Sequence, residues 1–187
     1  MNKPLDLTNQ FLLAMPQLQD QNFSHTITLV CEHNDEGAFG IIINRPTDFT
    51  LGELLQQLDL IEDADQFRET PVYGGGPVQV EHGFVIHKPA GNWQHSLIIQ
   101  DDLALTTSRD ILEAIANDEG PEQAMIALGY AGWGAGQLEE ELAQNAWLTT
   151  PASDDILFEL PAEQRWKTAA TRMGIDLSLL SGDAGHA

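Results

Sequence analysis

A chain of 187 residues with 42% hydrophobic content has enough apolar material for a continuous core, and its length fits a single domain. Its 29 Asp and Glu against 8 Lys and Arg leave a formal net charge of −21, a field that repels DNA, RNA and anionic membrane surfaces. The lone cysteine, Cys31, excludes an intramolecular disulfide and a multi-cysteine zinc or iron–sulfur site.

The first predicted element is the apolar run Phe11 to Met15, a strand stopped by Pro16, which cannot donate to a ladder. A polar loop from Gln17 to Asn22 leads to His25 to His33, where Ile27, Leu29 and Cys31 alternate with Thr26, Thr28, Val30 and Glu32. Asn34-Asp35-Glu36-Gly37 supplies a turn, Phe39 to Ile43 the returning strand, and Asn44-Arg45-Pro46 its end. Thr50-Leu51-Gly52-Glu53 has the form of a capping box, ahead of Leu51, Leu54, Leu55 and Leu58 at helical spacing.

A polar stretch, Glu62 to Thr70, precedes Pro71-Val72-Tyr73-Gly74-Gly75-Gly76-Pro77-Val78, where backbone matters more than side chains. His82 to Lys88 and Gln94 to Gln100 read as two strands pairing antiparallel across Pro89-Ala90-Gly91-Asn92. Asp101-Asp102 starts a polar connection through Thr106, Thr107 and Ser108 to a helix with Ile111, Leu112 and Ile115, in which Thr107 and Asp110 make a weak cap. Ala124 to Ala131 is a buried strand, and the glycines at 132, 134 and 136 form a tight turn into a helix that runs to about Asn145–Trp147. Asp154 to Phe158 suggests a short helical turn, Pro161 opens a last helix with Trp166, Ala169, Ala170 and Met173, and the small polar tail from Ser181 is expected to fray. Hairpins precede most helices without regular alternation, which predicts an α+β domain with a mixed, largely antiparallel sheet.

Several groups invite a chemical reading. Cys31 and His33 are two apart on a strand, the spacing at which an imidazole could activate a thiol, although Cys31 also continues an apolar face. Asp101 and Asp102 could hold a cation or act as acid and base, but neighbours on extended chain point apart, which favours a loop role. Ser108 with Arg109 is a conceivable anion contact, set against a plain helix start. His25, His82, His87, His95 and His186 show no metal-ligand spacing, no serine sits in a Gly-x-Ser-x-Gly elbow, and no cofactor is implied. The glycine turn at 132–136 is either a packing turn filled by Trp133 or a ligand loop; Glu139, Glu140 and Glu141 behind it would repel a phosphate. The N-terminal Met1 to Asp6 lacks the segments of a signal peptide and the apolar runs are too short to span a bilayer, so a cytoplasmic location is expected.

The segments Leu7 to Pro16, Cys31-Glu32-His33-Asn34 with Ile43-Asn44-Arg45-Pro46, Gly75-Gly76-Pro77-Val78, Asp101 to Ser108 and Gly129 to Leu138 together resemble the bacterial YqgE/AlgH family over nearly the whole chain. Gly74 departs from that pattern, since relatives more often carry a bulkier residue there. The resemblance implies an α+β fold with a bifurcated sheet that includes a small closed barrel, wrapped by helices. It implies no established reaction or cofactor, and its regulatory connotation must be squared with a charge that opposes direct DNA contact. The leading expectation is a binding or regulatory protein that acts through a protein or small-molecule ligand. Its candidate surface comprises Asn44, Arg45, Gly75, Gly76, Pro77, Asp101, Asp102, Thr106, Thr107, Ser108, Arg109, Gly132, Trp133 and Gly134. The alternative is an enzyme, thiol-dependent or hydrolytic through Cys31 and His33, or metal-assisted through Asp101 and Asp102.

Overall fold

The computed structural model describes residues 5–15 and 25–175, so the stop at Pro16, the loop from Gln17 to Asn22 and the tail from Ser181 lie outside the described residues. In chain order the elements are β1 (Gln10–Ala14), β2 (Ile27–Asn34), β3 (Gly37–Ile42), β4 (Pro46–Thr50), α1 (Leu51–Gln57), β5 (Pro71–Gly74), β6 (Val78–Lys88), β7 (Ser96–Gln100) and β8 (Leu103–Thr106). They continue with α2 (Arg109–Ala116), β9 (Gln123–Gly134), α3 (Gln137–Ala143), β10 (Trp147–Pro151), a wide π-type turn over Asp155–Glu159, and α4 (Ala162–Arg172). The chain divides into two compact units, Met1–Asn44 with Ala131–Ala187, and Arg45–Tyr130.

In the first unit the strand order is β10-β1-β2-β3-β9, antiparallel throughout. Among the described residues no pairing joins β10 to β9, so where the resemblance implies a small barrel the ladder is an open half-barrel, and α3 packs on both β10 and β3. Phe11, Leu12, Leu13, Ile27, Leu29, Ile41, Ile42 and Ile43 are fully buried, each contributing about 1.5–3 kcal/mol on transfer from water. α4 is pinned to this layer by donors: the Trp166 indole N–H reaches the Ala14 carbonyl at 3.2 Å, and the buried Arg165 guanidinium donates to the carbonyls of Ile43 and Leu160.

The β2–β3 hairpin forms as read, with Asn34 Oδ1 accepting the Glu36 N–H at 2.8 Å in the turn. One register shift changes its chemistry. Val30 pairs with Gly40 and Glu32 with Phe39, which leaves Cys31 as the extra residue of a β-bulge and breaks the strict alternation that two-residue spacing assumes. Cys31 is 1% exposed with its Sγ 3.7 Å from the Leu29 carbonyl, and burial pushes its thiol well above the ordinary range. The His33 ring is bonded elsewhere, as described below.

The second unit has the order β7-β8-β6-β9-β5-β4, antiparallel except for β5 beside β9. β9 is thus common to both ladders and is the branch point of a mixed, largely antiparallel α+β sheet. The N-cap half of the expected capping box is present, with the Glu53 N–H donating to Thr50 Oγ1 at 3.1 Å, while the Glu53 carboxylate meets the Thr50 hydroxyl at 3.3 Å. Leu51, Leu54, Leu55, Val72, Val85, Ile111, Ala116 and Ile126 form the core beneath α1 and α2.

Three readings need correction. β6 and β7 do not pair with each other; β8 lies between them, and its four residues are all buried, so Leu103 to Thr106 carries no alternation to mark it as a strand. Trp147–Pro151 is a strand, not a helix end, because β10 completes the ladder against β1. Gly132, Trp133 and Gly134 lie within β9, paired with Phe39, Ala38 and Gly37, and the turn falls to Ala135 and Gly136. The close approach is made from the opposite strand, since a Cβ on Gly37, whose φ is +138°, would stand 2.2 Å from the Trp133 carbonyl oxygen.

Gly37→Ala is therefore expected to cost about 2 kcal/mol or more in urea unfolding. Gly134→Ala, where the nearest atom to a Cβ is Gln137 Oε1 at 3.9 Å, should stay within about 0.5 kcal/mol; equal effects would place the constraint elsewhere. Cys31 should react with a disulfide reagent only as the protein unfolds, so stoichiometric labelling of the native chain within seconds at neutral pH would contradict its burial.

Candidate functional site

The sequence from Trp133 to Leu142 builds a corner in the first unit. A helix places Gln137 and Glu141 on one side, one turn apart, and Leu138 toward the core with Leu7, Leu12, Ala14, Val30, Ala131, Trp133 and Trp147. The Gly134 N–H donates to Gln137 Oε1 at 2.9 Å, and Gln137 Nε2 donates to Glu141 Oε2 at 2.9 Å. Glu141 Oε1 accepts both indole N–H groups, from Trp133 at 3.1 Å and from Trp147 at 2.8 Å. The two rings meet edge to face with centroids 5.9 Å apart. Hydrogen bonds to an ionised group contribute about 1.5–3 kcal/mol each, so one carboxylate fastens α3 to two strands.

On the other side of α3, Glu139 meets His33. The Leu7 N–H donates to His33 Nδ1 at 3.0 Å, which requires an unprotonated Nδ1 and puts the ring proton on Nε2, where it is donated to the Glu139 carboxylate. The His33 side chain is 1% exposed and that of Glu139 is 39% exposed, so a buried ring orients a carboxylate that still faces outward. It opens on a cleft of about 350 Å³ lined by Leu5, Asn34, Asp35, Gly136 and Glu139. Nearby, bonds from the Thr8 hydroxyl and N–H hold Asp6 below the usual carboxylate range.

The residues singled out in the sequence fall into separate groups. Gly132, Trp133 and Gly134 form the strand that enters the corner just described. Asn44 closes the end of its ladder, its Oδ1 accepting the Ile27 N–H at 3.1 Å and its Nδ2 donating to the His25 carbonyl at 3.0 Å. In the second unit Arg45 and the glycines come together through backbone: the Gly74 N–H donates to the Arg45 carbonyl, the Gly75 N–H to the Leu128 carbonyl, and Gly76 lies against Gly129, with Pro77 leading into β6. Asp101 and Asp102 are the exposed two-residue turn between β7 and β8, Asp101 with φ +51°.

Thr106 to Arg109 belong to the entry of α2. The N-cap position is Ser108 rather than Thr107; its hydroxyl donates to Asp110 Oδ1 at 2.5 Å and accepts the His95 N–H at 3.1 Å. Arg109 donates to the Leu58 carbonyl at 2.6 Å and to Glu113 Oε1 at 3.3 Å, tying α2 to the end of α1 in place of holding an anion. Thr106 is part of a buried relay that sequence reading missed. His87 Nδ1 donates to the Pro89 carbonyl at 3.0 Å, so neutral Nε2 accepts the Thr106 hydroxyl at 2.6 Å, and Thr106 in turn accepts the exposed Ser96 hydroxyl at 2.7 Å. Among the described residues no three His, Cys, Asp or Glu side chains converge as metal ligands. Glu139, Glu141, Asn34 and Asp35 were also missed; the i, i+4 pair Gln137–Glu141 behind a Trp-Gly strand end was the available signal.

Burial holds His87 below the ordinary imidazole value of 6.5, against the opposing pull of its bond to Pro89. A depressed histidine means that the unfolded chain binds the extra proton first, so this contribution to stability is complete above pH 6.5 and declines as pH falls through 6.5 toward the folded value. The urea midpoint of the wild type should fall more between pH 7.5 and pH 5 than that of His87→Gln; parallel declines would show that the ring is not responsible.

Comparison with known proteins follows the same lines. The AlgH-like family model matches residues 11–178. A UPF0301 protein of Thioalkalivibrio sulfidiphilus is 60% identical, covering 97% of each chain, and a UPF0301 protein of Nitrosococcus oceani is 54% identical, covering 96% of each. The solution structure of the AlgH protein from Pseudomonas aeruginosa superposes with a TM-score of 0.80 at 49% identity, over 100% of this chain and 99% of that one. The crystal structure of protein DIP2367 from Corynebacterium diphtheriae shares the fold, with a TM-score of 0.74 at 18% identity over 97% of this chain and 94% of that one. Family model, near relatives and solved structure concur, and this chain belongs to the AlgH-like family.

Proposed function

We propose that this chain is a cytoplasmic binding protein that acts through a cationic small molecule or a basic side chain of a protein partner, held in the cleft beside α3. The observation that carries the reading is the Glu139 carboxylate, aimed by the buried His33 ring into a cleft of about 350 Å³ that it shares with Asp35. That volume lies within the range of small-ligand sites. Two carboxylates with Asn34 at the turn and the apolar Leu5 at the lip suit an ammonium or guanidinium group on a short aliphatic stem. Gly132, Trp133 and Gly134 serve the site from behind by fixing α3.

Any influence on transcription is then indirect, since a chain of net charge −21 steers cations inward and polyanions away. Binding is also favoured over thiol chemistry by the burial of Cys31 and its place on a bulge.

Titration of the labelled chain with 1,5-diaminopentane or Nα-acetyl-arginine amide should move the amide resonances of Asn34, Asp35 and Gly136 saturably, while neutral Nα-acetyl-citrulline amide leaves them in place. Glu139→Gln should weaken the response roughly tenfold, the loss of one charged contact. Absence of any response, or one that Glu139→Gln leaves intact, would remove this site. Salt-sensitive binding of duplex DNA by the purified chain would restore a direct role at the promoter.

A further inference from the structure

Ser96, Thr106 and His87 share one face of adjacent strands in the second unit, and the cleft beside α3 uses none of them. Ser96 lies opposite Thr106 across β7 and β8, and Thr106 lies opposite Val85, two residues from His87 on β6. Thr106 and His87 are fully buried, while Ser96 is exposed. Because the Pro89 carbonyl holds the Nδ1 proton, Nε2 takes the Thr106 hydrogen at 2.6 Å, and Thr106 takes that of Ser96 at 2.7 Å. An exposed hydroxyl is thus linked through one buried hydroxyl to a neutral base. A histidine held in one tautomer and drawing on a serine hydroxyl is how a nucleophilic serine is activated, here with a threonine inserted between base and nucleophile. The Thr107 N–H donates to the His95 carbonyl at 3.0 Å, so residues 95 and 107 are a hydrogen-bonded pair and alternation turns the Ser96 N–H away from β8 toward the open edge of the ladder. A backbone donor on the nucleophile's own residue is one half of an oxyanion hole. Ile98, on the same face as Ser96 and 54% exposed, offers apolar surface to an acyl chain. The net charge of −21 turns away phosphoryl donors and acyl groups that carry a carboxylate.

We propose that Ser96 is a nucleophile that accepts a small apolar acyl group from a neutral activated ester, with Thr106 and His87 as positioning residues that carry its proton away. Ser96 Oγ bonds to the acyl carbon while its proton passes to Thr106 Oγ1 and the Thr106 proton passes to His87 Nε2. The ester C–O bond then breaks, and the leaving group departs as an oxyanion with the electron pair. His87 is left holding both ring protons, one on the Pro89 carbonyl and one on Thr106. Burial and the Pro89 carbonyl set the protonation of this ring, with no charged side chain among the causes, and the neutral form it keeps at pH 7 is the form that can accept.

The full chain treated with p-nitrophenyl acetate should release p-nitrophenolate and gain one acetyl group, which peptide mapping by mass spectrometry places on Ser96. Ser96→Ala, at an exposed position, should lose that acetyl group. Thr106→Val should slow acetylation of Ser96 roughly a hundredfold, whereas Thr106→Ser, which keeps the hydroxyl, should hold the rate within about threefold. The wild-type rate should level off above pH 6.5, where the ring is neutral, while His87→Gln, left with hydroxide as its base, should keep rising. Urea midpoints show which variants fold, and if Thr106→Val or His87→Gln does not, the wild-type pH profile and Thr106→Ser decide. An unacetylated Ser96 in the native wild type, a wild-type rate that climbs with pH without a plateau, or a rate that Thr106→Ser lowers as far as a folded Thr106→Val does, overturns the proposal.

Discussion

Along its twelve residues β9 has to satisfy two ladders in succession. Gln123 to Leu128 pair with β6, and Ala127 and Leu128 also pair with β5, while Ala131 to Gly134 pair with β3. The change takes place around Gly129, whose φ is +80° and where a Cβ would stand 2.5 Å from the Gly76 carbonyl oxygen. A left-handed residue costs a non-glycine side chain roughly 1–2 kcal/mol before any clash is counted, so the branch rests on Gly129 where β9 passes Gly76 of the loop between β5 and β6.

What the strand delivers beyond Gly129 is the corner at α3. One helix of seven residues is too short to hold itself in place by propensity, and its stability comes from its contacts. Leu138 supplies the apolar part and Glu141 the polar part, and the charge of Glu141 is matched by two indole donors in place of a basic residue. That economy suits a chain with few cations. It leaves Glu139, one helical face away, free to be set by His33 and to look outward, so the binding proposal depends on an arrangement that packing already demands.

The hydrophobic and turn chemistry of the chain made much of this legible. The Asn34–Gly37 turn, the Thr50 N-cap and the helix opened by Pro161 are local signals; local hydrogen bonds form the first two, and the fixed φ of proline marks the third. β8 and β10 were illegible for the opposite reason. β10 is five residues held by β1, distant in sequence, and β8 is four residues buried on both faces, so no period of two remains to read in it. The spacing of Cys31 and His33 suggested a shared face that the bulge at Cys31 does not preserve, since one extra residue cannot be counted from composition. Gly75 and Gly76 belong to the stretch read as backbone-special, and there the Gly75 N–H meets the Leu128 carbonyl and Gly76 lies against Gly129. Glu139 was visible only as part of an acidic run, because its partner, His33, lies 106 residues away.

The hydrogen bonds between Pro89, His87, Thr106 and Ser96 have a direction set by the carbonyl at one end, which can only accept. With a neutral ring every hydroxyl proton points inward, and Ser96 shows solvent its lone pairs. Should the ring take a proton, Nε2 becomes a donor, Thr106 turns its hydrogen toward Ser96, and Ser96 turns its own outward. The charge of a sealed imidazole is thereby written on the outside of the protein as the polarity of one hydroxyl group, with no movement of the chain.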